Sequence, residues 1–143
     1  MIALDTNVLI YAHRRATPEH RAARRAIEAA AQSPRGWGIP LATVAEFWSI
    51  VTHPAAERGP TSPRDATSFL TALGETAGMR LWAPGAGFAP RLMQMAIDLG
   101  VSGVRIFDLQ IGLTALDNGA VELWSHDAAF VRIPGLSVTD PLR

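Results

Sequence analysis

The chain contains neither cysteine nor lysine. Without thiols it can form no disulfide, no thiolate metal site and no cysteine nucleophile. Without lysine it has no P-loop amine, no Schiff base and none of the phosphatase or receiver chemistry that uses that side chain. All 13 basic residues are arginine, which reads as compositional bias. No apolar run approaches the roughly 20 residues of a membrane-spanning helix. The first residues lack the basic segment and long apolar core of a secretory leader. These absences set an expectation of a cytoplasmic protein that does not engage a membrane.

What is present describes a globule. Hydrophobic residues make up 48% of 143, enough for one domain over residues 1–143 with a sizeable core. Formal net charge is +0, but it is unevenly spread. Between His13 and Arg25 stand Arg14, Arg15, Arg21, Arg24 and Arg25 against one acid, Glu19. Such a stripe can hold phosphates, and it can equally be a solvated helix face.

The stretch from Ile2 to Ile10 anchors the chain. An apolar run too short for a helix reads as a buried strand, then Asp5-Thr6-Asn7 leads into an apolar helix. A carboxylate there stands at the carboxyl edge of a sheet, where open α/β sheets bind ligands. Asp is also a good helix cap, so Asp5 alone leaves both readings open.

Further along, Thr17-Pro18-Glu19 predicts the start of a helix carrying Arg21 to Ala31. Trp37 to Pro40 predicts a short strand, and Leu41 to Thr52 a helix with Val44, Phe47, Trp48 and Val51 as its buried stripe. Glu46 lies off that stripe: a solvated carboxylate on composition, a site residue by its place just after a strand. Ser62 with Asp65 predicts a capped helix that ends at Gly78, followed by a strand from Met79 to Trp82. Another helix passes through Leu92, Met95, Ala96 and Leu99. After a loop, a helix from Asp108 to Asp117 is expected, with Asp108 as cap or ligand and Gly112 allowing close approach. Val121 to Trp124 and Leu136 to Val138 complete the strands, with Ser125-His126-Asp127 at the end of the former. Alternation of strand and helix predicts an α/β sandwich with a mostly parallel sheet.

Asp5, Asp127 and Glu46 follow strands and Asp108 opens a helix. In a parallel sheet with right-handed crossovers these ends share one edge. Four carboxylates there repel one another unless hard divalent cations hold them. Magnesium or manganese, with a phosphate ester as substrate, suits such a set.

The segments Asp5 to Ala12, Glu46 after its strand, Phe107-Asp108-Leu109-Gln110-Ile111 and Trp124 to Phe130 resemble those of PIN-domain nucleases, and most closely the VapC toxins of bacterial toxin–antitoxin pairs. The resemblance runs through Asp140-Pro141-Leu142. It implies a PIN-like three-layer sandwich with helices on both faces of the sheet. It also implies a Mg2+- or Mn2+-dependent endoribonuclease, with an RNA substrate, an antitoxin partner and a homodimer. Asp5, Glu46, Asp108 and Asp127 match the family's acids. Asp5 and Asp108 are then ligands, Asp127 completes the metal shell, and Glu46 binds metal or orients water. Asn7 and Ser125 support them, Ser125 standing where many relatives carry Thr. His126 is expected at the surface, since metal-bound hydroxide needs no further base. Arg14, Arg15, Arg21, Arg24 and Arg25 are expected to guide RNA, with Arg105 neutralising a phosphate. Trp37, Trp48, Trp82 and Trp124 are partner anchors or core. The alternatives are a PIN-type nuclease of RNA processing or DNA flaps, and a non-catalytic nucleic-acid-binding domain. An aspartyl phosphatase is disfavoured by Asn7 and the missing lysine.

Overall fold

The computed structural model describes residues 1–143. Five strands form one sheet, every pairing parallel: β1 (Ile2–Leu4), β2 (Trp37–Pro40), β3 (Met79–Trp82), β4 (Glu122–Trp124) and β5 (Ser137–Thr139). Their spatial order is β3-β2-β1-β4-β5. The sheet expected to be mostly parallel is wholly so.

Strand order fixes where a ligand can sit. From β1 the chain steps outward through β2 to β3, then crosses back to lay β4 on the other side of β1. The carboxyl ends of β1 and β4 therefore flank the switch point, the crevice where such sheets bind ligands. Asp5 follows β1 and Ser125 follows β4.

Alternate side chains along each strand go to opposite faces. Ile2, Leu4, Trp37, Ile39 and Met79 pack with α1 (Thr6–His13), α2 (His20–Gln32), α3 (Leu41–Val51) and α4 (Pro63–Ala77). Ala3, Trp82 and Leu123 face the other way, toward α5 (Phe88–Leu99) and α6 (Ile106–Asp117). These are the three layers that the resemblance implied.

Local rules explain both ends of α4. Ser62 Oγ accepts from Asp65 N–H at 3.1 Å, and Gly78 at φ 69° closes α4. Two starts differ from expectation. Thr17 does not cap α2: its hydroxyl donates to Arg14 O at 2.9 Å, forming a turn after α1, and the helix begins at His20. Asp108 does not cap α6 either. A 3-10 turn, Gly103–Arg105, runs directly into the helix, so Asp108 becomes its third residue. In α3 the fully buried face is Thr43, Phe47 and Val51, whereas Trp48 is 36% exposed. Trp37 and Trp82 are core, and Trp124 is half-buried with its Nε1 donating to Glu122 Oε1.

Gly38 lies where β2 meets β3, opposite Arg80. A Cβ there would stand 2.6 Å from the Arg80 carbonyl oxygen and 2.8 Å from the Trp82 ring. A backbone oxygen and a buried indole have little room to yield. Gly38→Ala is expected to lower stability by about 1–3 kcal/mol in urea unfolding. A variant as stable as wild type would mean that this strand pair is looser than described.

Candidate functional site

Asp5 is 6% exposed, and three donors hold its carboxylate. Oδ1 accepts from Thr6 N–H at 2.8 Å, so the capping role exists. Oδ2 accepts from Ser125 Oγ at 2.7 Å and Asn7 Nδ2 at 3.1 Å. The two open readings of Asp5 are thus compatible: one oxygen caps α1 and the other faces the crevice.

Asn7 and Ser125 tie the two strand ends together. The Asn7 amide also donates to Ser125 Oγ at 3.2 Å, while its Oδ1 accepts from His126 N–H at 3.1 Å. Ser125 Oγ accepts from Asp127 N–H at 3.1 Å. The supporting role inferred for these residues has this geometric form.

Asp108 and Asp127 meet through a cation. Arg105 Nη1 donates to Asp108 Oδ2 at 3.0 Å and to Asp127 Oδ2 at 2.9 Å. Backbone N–H groups orient both acids as well: Val131 N–H reaches Asp108 Oδ2 at 3.3 Å, and Ala129 N–H reaches Asp127 Oδ1 at 2.8 Å. Arg105, expected to neutralise a phosphate, is a partly exposed counter-charge to these two acids. Glu46 is half-buried on α3 with no side-chain hydrogen bond. It lines an open groove of about 400 Å3 with Ala42, Ser49, Phe107 and Gln110.

Electrostatics link these groups. Burial raises the Asp5 carboxyl to about 6, against the Ser125 and Thr6 hydrogen bonds and with help from the Glu46 and Asp108 charges. The hydrogen bond from Arg105 holds Asp127 below the usual carboxylate range despite its burial. The same contacts, Asp127 first and then Asp108, raise the Arg105 guanidinium.

Hard oxygen donors in this number suit magnesium or manganese, which take one or two carboxylates and keep waters. Asp5 is the observation that favours a cation, because its charged form lacks compensation for burial. The four acids do not form the ready cluster expected around Asp5. No three acidic or imidazole side chains converge on one ion position, and Arg105 stands between Asp108 and Asp127. The donor types fit the metal; the arrangement has Arg105 in place of a cation between two of them.

His126 is partly exposed, with its side chain 30% accessible. It is half-buried, its Nδ1 lies 2.9 Å from Asp140 Oδ2, and its ring meets Tyr11 edge-on at 5.8 Å. Burial pulls Asp140 up, but the Leu142 N–H and His126 hold it below its ordinary range. Asp140 was missed as a neighbour of the site. The signal was available: it follows β5 just as Asp5 follows β1, and register pairs Thr139 with Trp124.

The arginine stripe is divided among different grooves. Arg14 and Arg15, with Arg58, surround one open pocket of about 590 Å3. Arg24 faces a groove between α2 and α4, Arg25 faces one beside β4 and the carboxyl terminus, and Arg21 is exposed. None of these arginines pairs with an acid.

A family model for the PIN domain matches residues 2–136. The chain is 36% identical over 143 residues to a VapC ribonuclease of Mycobacterium bovis and to ribonuclease VapC43 of Mycobacterium tuberculosis, covering 99% of this chain and 96% of each relative. Among solved structures, Mycobacterium tuberculosis VapC20, described as a toxin that cleaves the sarcin–ricin loop, has a TM-score of 0.68 at 13% identity over 91% of this chain and 92% of its own. VapBC2 from Rickettsia felis, bound to a promoter DNA fragment, has 0.67 at 21% identity over 97% and 98%. At those identities the structural likeness speaks to the fold.

The Asp5 carboxyl has a consequence for metal-free stability. Its folded pKa, about 6, lies above the ordinary 3.8. Between those values the folded state binds more protons, so stability falls as pH rises. Asp5→Asn keeps the cap and removes the titration. Urea unfolding in EDTA should show wild type losing about 3 kcal/mol relative to the variant between pH 3.5 and pH 7. A pH-independent difference would contradict the raised carboxyl.

Proposed function

The chain belongs to the PIN-domain family, in its VapC ribonuclease branch, and from that premise we propose that it is a metal-dependent endoribonuclease acting as the toxin of a toxin–antitoxin pair. The observation that carries this reading is the buried Asp5 carboxylate, fixed by Ser125 and Asn7 at the switch point, with Asp108, Asp127 and Glu46 disposed around the same sheet edge.

In this reading Asp5 and Asp108 would hold Mg2+ or Mn2+, and Asp127 would join them directly or through water. Bound there, the cation supplies an acidified water and neutralises charge at the phosphodiester. Glu46, whose carboxylate has no protein hydrogen bond, would be free to join the shell or to accept a proton from the attacking water. Asn7 and Ser125 keep Asp5 aimed at the crevice. Hydrolysis breaks one ester P–O bond of RNA and adds water across it.

An antitoxin is the proposed protein partner, by analogy with the VapBC assembly. Exposed apolar side chains supply surface for it and for a second copy of the chain: Trp48 on α3, Met93 and Ile97 on α5, and Val104 and Phe107 before and on α6.

Two outcomes test this function. Purified chain should cut single-stranded or looped RNA with Mn2+ or Mg2+ and stop in EDTA. Asp5→Asn and Asp108→Asn should fall to background while remaining folded by circular dichroism. Undiminished cleavage in excess EDTA removes the metal mechanism. Separately, if Arg14 and Arg15 contact phosphates, replacing both with Ala should reduce the slope of log affinity against log salt by about 1.4, at roughly 0.7 per single-strand phosphate contact. An unchanged slope would leave them as solvated side chains.

A further inference from the structure

Arg105 is held lightly, and each acid it bridges has one backbone donor besides it. One nitrogen, Nη1, makes both contacts, and Nε and Nη2 have no acceptor in the protein. The side chain is 43% exposed and rises from the short 3-10 turn Gly103–Arg105, beside Val104 at 77% exposure. Withdrawing it would leave Asp108 with the Val131 N–H and Asp127 with the Ala129 N–H. Neither carboxylate would be left without a donor beside the place that the guanidinium had left.

The two oxygens that Arg105 contacts are Asp108 Oδ2 and Asp127 Oδ2. A divalent cation binds a carboxylate oxygen at about 2.0–2.1 Å for magnesium. A nitrogen at 2.9–3.0 Å from the same oxygens occupies that approach. Two positive groups cannot share it without strong repulsion.

We propose that Arg105 is a displaceable counter-charge that competes with a divalent cation for Asp108 and Asp127, and so sets the cation concentration at which the site loads. This rests on the metal-dependent reading above. It differs from the alternatives in sign. A phosphate-binding arginine would leave cation affinity nearly unchanged in the absence of RNA, and a residue that only braces the acids would support it. A competitor weakens it, and its removal strengthens binding.

The direct test titrates Mn2+ into RNA-free wild type, Arg105→Gln and Arg105→Lys, with free Mn2+ followed by electron paramagnetic resonance and folding by circular dichroism. Two partly exposed ion pairs give a modest competitor. Arg105→Gln should therefore bind Mn2+ roughly three- to thirtyfold more tightly than wild type, with Arg105→Lys between them. A second measurement needs no substitution. In wild type labelled with 15N-arginine, saturating Mg2+ should shift the Arg105 Nε–H resonance but leave that of Arg91, which pairs with Asp117. Equal or weaker Mn2+ affinity in folded Arg105→Gln, or an unmoved Arg105 resonance at saturation, overturns this inference and leaves the metal reading standing. No binding at millimolar Mn2+ in any of the proteins overturns both.

Discussion

Burial of one carboxylate governs this sheet edge. Asp5 is nearly inaccessible, and an ionised group in that position needs donors. It obtains them from three directions: the first turn of α1 through Thr6, the side chain of Asn7, and the end of β4 through Ser125. Those contacts join β1, α1 and β4 where the strand order reverses. Because the donors do not fully offset burial, the carboxyl keeps its proton to unusually high pH. The interaction that aligns the strands therefore also creates a demand for positive charge in the crevice.

The neighbouring acids meet the same demand differently. Asp108 and Asp127 share Arg105, whose 43% exposure to solvent keeps the pairing weak. At the adjoining strand end, Asp140 takes His126, Arg143 and the Leu142 N–H. That cluster fastens the last residues of the chain against the loop bearing Ser125 and Asp127. Glu46 alone has no cation or donor. The edge thus grades from a fully bonded buried acid to one open to incoming ligand.

Much of this was legible in the sequence because local chemistry determined it. Short apolar runs marked the strands, and Asp5 and Asp127 after β1 and β4 marked the sheet edge that carries them. Ser62 with Asp65, and Gly78, gave the limits of α4. Errors arose where tertiary contacts overruled local signals. Thr17 looked like a cap but bonds back to α1, and Asp108 was displaced inward by a 3-10 turn that no residue pattern announced. Trp48 fits a helical stripe by spacing, yet Thr43 takes the buried position on α3. Arg105 was visible as a basic residue beside an acid, but its bridge to Asp127 spans 22 residues and exists only once α6 packs beside β4. The run of arginines is continuous in sequence, but the turn between α1 and α2 and the packing of α2 send it into separate grooves.

The most direct measurement is the titration of Asp5 itself, by side-chain carbonyl 13C NMR of aspartate-labelled protein. In EDTA one carboxyl should titrate near pH 6, and its signal should vanish in Asp5→Asn. With saturating Mg2+ the same carboxyl should stay ionised to much lower pH, because a bound cation compensates the charge that burial penalises. An Asp5 carboxyl that titrates near 3.8 in EDTA, or one near 6 that Mg2+ leaves in place, would contradict this account of the site.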